Sequence, residues 1–261
     1  MGINSISPEL MHDGQGDVYY VDLVICIDGT ISMRPFIDEV KKKAKSIYEI
    51  LSSAMFDSNR QMTENSPRIK VIVFRDYADT KTEPMEESRF FNVHQVDELN
   101  AFWQYVDNIQ PMGGGDLPEN ALEAIFTAMK SEWTPEGGMC RRQGIILFTD
   151  TVALEFKQPG RVDNPRYPAG MPNDITEMSD IWKNGSQELA PYFVPECARL
   201  IVYAPEGQGR EFKSKTVAWE DIASWPHFYP VPVHANYGCN DADIGEAIGT
   251  FVGSLGDGSE E

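Results

Sequence analysis

Histidine and cysteine are scarce in this chain, with four of each among 261 residues. The cysteines, Cys26, Cys140, Cys197 and Cys239, form no CxxC pair, which excludes a zinc ribbon and a dense disulfide framework. Cys26 and Cys197 lie in apolar, strand-like runs and read as small buried hydrophobes. His12, His94, His227 and His234 are scattered, and no Gly-x-Ser-x-Gly elbow is present, so a serine hydrolase has no support. No apolar run approaches the roughly 18 residues that span a bilayer, and no membrane role is expected. Basic residues are also short: 22 Lys and Arg stand against 41 Asp and Glu, a net charge of −19. Such a surface repels nucleic-acid backbones and anionic lipid, leaving cation binding or plain solubility as its readings.

The start, Met1 to Asp17, is polar and lacks the basic and apolar segments of a secretory signal, so a cytoplasmic setting is expected. No Ser/Gly/Pro linker divides the rest into two sets of strands and helices. The expected organisation is an extension over 1–17, one domain over 18–255 and a flexible acidic tail over 256–261.

Within that domain, Val21 to Asp28 is near-continuously apolar and reads as a strand buried on both faces. Met33 to Met55 follows with helical spacing, and Ser32 is placed to cap it. Further strands are expected at Arg68 to Tyr77, Gln143 to Phe148, Ala198 to Tyr203 and His227 to Val231, with a short edge strand or hairpin within Glu83 to Val93. Helices are expected at Val96 to Ile109, after Glu119 through Met129, near Glu177 to Leu189, at Ser214 to Ser224 and at Asp241 to Leu255. In the last of these, Gly245, Gly249 and Gly253 weaken the helix and read as sites of close helix–sheet packing, with motion of the helix as the alternative. This alternation predicts an α/β fold: a Rossmann-like, doubly wound, mostly parallel sheet with helices on both faces.

The strand ends carry the chemistry. Asp28, Thr30 and Ser32 place three oxygen-bearing side chains at alternate positions where the first strand stops. The loop Gly113-Gly114-Gly115-Asp116-Leu117-Pro118-Glu119 adds Asp116 and Glu119, and Thr149-Asp150 closes a later strand. Open α/β sheets bind their ligands at this carboxyl edge. Carboxylates and hydroxyls without His or Cys select a hard divalent ion, Mg2+ first, with Mn2+ or Ca2+ as alternatives. Taken singly, each position has a duller role: Ser32 and Asp116 as helix caps, Asp150 as a turn residue.

Together these residues resemble the von Willebrand factor type A domain and its metal-ion-dependent adhesion site. The resemblance runs from about Val18 to Leu255 by element order. In that family a loop Asp-x-Ser-x-Ser is matched here by Asp28, Thr30 and Ser32, with the hydroxyl kept at Thr30. The middle loop resembles the Gly-Gly-Gly-Asp-x-Pro-Glu subgroup, with Asp116 favoured as the direct ligand and Glu119 as a second candidate; Asp150 follows the later strand. The resemblance implies one short antiparallel edge strand and a Mg2+ site that accepts an acidic side chain from a protein partner. It implies a non-enzymatic adaptor, in bacteria often found with an AAA-type ATPase or a kinase and phosphatase system. The segment Glu155 to Asp180, rich in Pro and Gly, is a long loop insertion near the metal face, either a recognition loop or an inert one. Arg161, Arg166 and Tyr167 are its candidates for meeting an acidic partner.

Rival readings come from the same strings. Cys26-Ile27-Asp28-Gly29-Thr30 resembles the Asp-x-Asp-Gly-Thr loop of a Mg2+-dependent phosphohydrolase of the haloacid-dehalogenase type, but Cys26 stands where the nucleophilic aspartate belongs. GGGDLPEN lacks the lysine of a P-loop. A third possibility is a scaffold whose metal site is vestigial.

Overall fold

The structure is a computed structural model that describes residues 18–114, 118–135, 140–189, 192–205, 216–233, 245–249 and 251. The expected extension over 1–17, the tail over 256–261 and Asp116 lie outside the described residues.

The longest strand is β1 (Val18–Asp28), whose residues from Val21 onward are all buried. It lies at the centre because it pairs in parallel on both sides, with β3 (Arg68–Phe74) and with β6 (Arg141–Phe148). Beyond β6 come β8 (Ala198–Ala204) and β10 (Phe228–Pro232), both parallel. A short strand β2 (Gln61–Met62) extends the pairing of β1.

The antiparallel edge comes in two pieces, β4 (Met85–Glu87) and β5 (Phe91–Asn92), both on β3. At the opposite edge, Pro230 and Pro232 in β10 remove two backbone donors from the rim, which discourages pairing with another chain.

Alternate residues of the strands feed two cores. One joins Ile25, Ile27, Val71, Val73 and Ile146 to α1 (Ile37–Asp57) and α2 (Val96–Asp107). The other joins Val24, Cys26, Ile72, Phe74 and Leu147 to α3 (Ala121–Met129) and α4 (Ile175–Asn184). The fold is therefore the expected α/β type, a mostly parallel sheet with helices on both faces.

Several local expectations change. The first helix does not start at Met33 under a Ser32 cap; a 3-10 turn spans Ile31–Met33 and α1 begins at Ile37 with no side-chain cap. Ser32 is unavailable because its hydroxyl bonds within the strand-end cluster. The helix expected near Glu177 starts earlier, since Asp174 caps it by accepting from the Glu177 amide at 2.9 Å, and it stops at Gly185, whose φ of 73° a side chain would resist. Within Ser214 to Ser224, the described residues form β9 (Thr216–Val217), antiparallel to β7 (Ala153–Leu154), and a 3-10 turn Trp219–Ile222. Two β-branched residues with a partner strand outweigh the helical spacing.

Residues 245–249 and 251 are helical and bury Ala247, Ile248 and Phe251. The close approach here comes from the sheet. A Cβ added to Gly144 would sit 2.5 Å from Leu23 Cδ2 and 3.0 Å from Phe251 Cε2, whereas one added to Gly245 or Gly249 meets nothing within 4 Å. The packing role expected of those two helix glycines is thus filled by Gly144, and Gly253 lies outside the described residues.

The segment Glu155 to Asp180 is not one long loop, because α4 occupies its end. Its first part is tied down: Arg161 pairs with Asp76 at 2.7 Å, the Tyr167 hydroxyl donates to Glu123 at 2.7 Å, and the Asn164 amide donates to the Tyr77 carbonyl at 2.8 Å. Arg161 and Tyr167 are therefore spent inside the molecule, and Arg166 alone of the three candidates is exposed, beside Glu83 at 3.0 Å.

Candidate metal centre

The carboxyl end of β1 delivers Asp28, fully buried, into a set of hydroxyls. The Thr30 amide donates to Asp28 Oδ1 at 3.0 Å and the Thr30 hydroxyl donates to the same oxygen at 2.6 Å. The other oxygen, Oδ2, accepts from the Thr149 hydroxyl at 2.9 Å. Thr30 Oγ1 and Ser32 Oγ are 3.0 Å apart, and the Ser32 hydroxyl in turn bonds to the Asp150 carboxylate. Thr149, Asp28, Thr30, Ser32 and Asp150 thus form one chain of hydroxyls and carboxylates across two adjacent strand ends.

Thr149 has no place in the sequence reading, although it precedes Asp150 directly. Register is the signal that finds it. Ile27 pairs with Phe148, so the next residues, Asp28 and Thr149, stand side by side.

Glu119 reaches the cluster from the middle loop. Its backbone is fixed by a bridge to Ala153 and by the Leu154 amide, which donates to the Glu119 carbonyl at 3.0 Å. Gly114 lies between this carboxylate and Thr30. A Cβ there would be 3.0 Å from Thr30 Cβ and 3.1 Å from Glu119 Oε1, and the φ of +76° already disfavours a side chain. The loops are also joined through backbone: Ile31 N donates to Gly113 O at 3.1 Å and Met112 N to Gly29 O at 2.9 Å.

Of the six candidate ligands, the structure brings together Asp28, Thr30, Ser32 and Asp150 by hydrogen bonds and places Glu119 across Gly114 from Thr30. Asp116 lies outside the described residues. Among the described residues no group of three or more His, Cys, Asp or Glu is arranged to hold a metal. Any cation here depends on the threonine and serine oxygens as much as on the carboxylates.

The electrostatics are strained in one direction. Burial, and then the charge of Asp150, push the Asp28 carboxyl up to about 7, against the pull of the threonine hydrogen bonds. Burial, with the charges of Asp28 and Asp76, pushes Glu119 up to about 10, and Arg161 opposes this. Burial also raises Asp150, with the Ser32 bond opposing it. Glu119 Oε2 and Asp150 Oδ1 are both buried without a hydrogen-bond partner. Orphaned acceptor oxygens on acids of raised pKa are the features that a positive ion would relieve, and the all-oxygen donor set suits a hard divalent one.

The Cys26 thiol points elsewhere. It is fully buried on the α3 side of the sheet, 3.8 Å from the Ala124 carbonyl, and burial pushes its pKa far up. A thiol so placed is no substitute for a nucleophilic carboxylate.

A family model described as the von Willebrand factor A domain matches residues 22–164. No curated protein matches the chain by sequence. Among solved structures, the pilus adhesin SpaC from Lactobacillus rhamnosus GG in its open conformation is 11% identical, with 90% of this chain and 29% of that chain covered and a TM-score of 0.47. Proximal thread matrix protein 1 from the mussel byssus is 12% identical, with 92% of this chain and 48% of that chain covered and a TM-score of 0.47. A form of that protein with a zinc-occupied MIDAS motif is 11% identical, covering 93% and 48%, with a TM-score of 0.43. This chain spans less than half the length of each. The family match covers more than half of the present sequence, and the chain belongs to the von Willebrand factor A domain family.

Proposed function

We propose that this protein is an adaptor domain that binds a protein partner through a divalent cation, Mg2+ in the first instance, with Mn2+ and Ca2+ as alternatives. Asp28, Thr30, Ser32 and Asp150 would hold the ion, with Asp116 or Glu119 from the middle loop. When bound, the ion supplies Lewis acidity toward an acidic side chain of the partner. The observation that carries this reading is the pair of buried carboxylate oxygens, Glu119 Oε2 and Asp150 Oδ1, left without partners beside the Asp28 hydroxyl chain.

The protein's own groups have distinct tasks. Thr30 and Thr149 each hold one oxygen of Asp28 and so fix the plane of its carboxyl group. Ser32 orients Asp150. Gly114 lets the middle loop approach Thr30 closely enough for Glu119 to arrive.

The phosphohydrolase alternative is not favoured, because Cys26 is sealed in the core. Association with an AAA-type ATPase or a kinase and phosphatase system rests on the family resemblance alone. Among the described residues no helix is long and apolar enough to cross a membrane.

Calorimetric titration with Mg2+ tests the proposal, followed by capture of partners from lysate in Mg2+ and in EDTA. Heat of binding in the wild type that Asp28→Ala abolishes, and partners released by EDTA, are the expected results. A protein that ignores millimolar Mg2+ yet captures the same partners in EDTA would instead be the scaffold with a vestigial site.

A further inference from the structure

We propose that the amino edge of the sheet, opposite the metal centre, carries a second ligand site in which Arg60, Arg142 and Arg199 bind a phosphate group, free or carried on a larger molecule. The proposal does not depend on the cation.

Register builds the cluster. On the face that α1 and α2 cover, β6 presents Ile146 and Phe148 and β8 presents Ile201 and Tyr203. Strand alternation puts Arg142 and Arg199 on that same face nearer the amino ends, and Arg199 pairs with Gly144, two residues beyond Arg142. His227 stands beside Arg199, because Leu200 pairs with Phe228. On the other side Tyr19 of β1 shares the face, with the Arg142 guanidinium 5.2 Å and the Arg60 guanidinium 5.8 Å from the centroid of its ring. One aromatic ring thus gathers two of the three cations.

The placement is costly. Arg142 is 6% exposed and Arg199 3%, and arginine is rarely buried so far. Arg199 Nη1 donates to the carbonyls of Glu196 at 2.9 Å and Ala198 at 2.8 Å, and Arg142 Nη1 donates to the Arg141 carbonyl. A carbonyl orients a guanidinium but brings no opposing charge. Burial, and then the charge of Arg199, lower Arg142 to about 10; Arg60 adds to this while Tyr19 and Cys197 oppose it. Burial, and then the charges of Arg199 and Arg142, lower His227 as well. Like charges held together away from water are what an anion relieves.

Phosphate suits this set better than a carboxylate. A single arginine fork satisfies a carboxylate, whereas a phosphate offers more oxygens and up to two charges to guanidiniums arriving from different elements. Arg60 and His227 are half-buried, so the cluster borders solvent through them. The net charge of −19 repels a long polyanion, but a lone phosphate meets only the local cations.

Calorimetric titration and thermal melting with inorganic phosphate test the site, with EDTA present throughout to keep the metal centre out of the readout. Millimolar phosphate should give heat of binding and raise the melting temperature of the wild type, and Arg142→Gln and Arg60→Gln should each bind about tenfold more weakly. Should Arg142→Gln fail to fold, the half-buried Arg60 decides alone. A phosphoserine peptide that binds more tightly than inorganic phosphate assigns a carried phosphate, and the reverse order a free one. No heat in the wild type would overturn the proposal, as would a rise in melting temperature of equal size in the folded variants, which marks a general salt effect. A glutamate-rich peptide that binds where phosphate does not would overturn it in favour of an acidic protein segment.

Discussion

Thr149 shows how much of this site depends on a residue with no charge. Its hydroxyl donates to Asp28 Oδ2 from the neighbouring strand, and valine would keep the shape while removing the donor. Groups that orient a metal ligand from behind typically govern 10–100-fold in affinity. Thr149→Val is expected to weaken Mg2+ binding by about tenfold in a calorimetric titration while leaving the fold intact; unchanged affinity would remove Thr149 from the site. The acids themselves set a pH dependence. Asp28 titrates near 7 in the folded protein against about 3.9 when unfolded, so the folded state binds the extra proton between those values. Its contribution to stability is full below the unfolded value and is lost as pH rises through about 7, with Glu119 extending the loss toward about 10. Melting temperature in EDTA should therefore fall from pH 5 to pH 8, less steeply in Asp28→Asn. Because ligands must lose their protons to bind a cation, the gain from Mg2+ should grow over the same range.

At the scale of elements, legibility tracked the number of residues that repeat one signal. The strands β1, β3, β6 and β8 announce themselves as β-branched runs, and α1, α2 and α3 by helical spacing over two or more turns. Two-residue strands such as β2, β7 and β9 carry no periodicity and exist through their partners. Ser32 misled for a related reason: a serine before a helical pattern is a cap by default, and only the folded positions of Thr30 and Asp150 show where its hydroxyl goes. The segment after β7 was illegible because its anchors are long-range. Arg161 meets Asp76 across 85 residues of sequence and is only 8% exposed. Removing one member of such a buried pair strands the other charge, so Arg161→Gln should cost about 3–5 kcal/mol in urea unfolding. Replacing both members with apolar residues should recover most of that loss. A single variant as stable as the wild type would mean that the pair contributes little.

For the whole molecule, the strand order β10-β8-β6-β1-β3-β4 explains why the candidate site lies where it does. The two strands whose ends carry Asp28 and Asp150 are neighbours at the middle of the sheet, and the loop before α3 packs against the same edge. Asp28, Thr30, Ser32 and Asp150 lie together because a doubly wound sheet sends every parallel strand end to one side. The contribution of Thr149 and the Gly114 contact are not legible, since the first depends on lateral register between β1 and β6 and the second on two loops that meet only in the folded chain. The central claim, that these strand-end oxygens share one divalent cation, is tested most directly by a crystal structure of the protein in millimolar Mn2+, read by its anomalous scattering. A single strong peak within coordination distance of Ser32 and Thr30, close to Asp28 and Asp150, is the expected result. A well-ordered site with no peak there, and Asp28 still held by its two threonines, would contradict it.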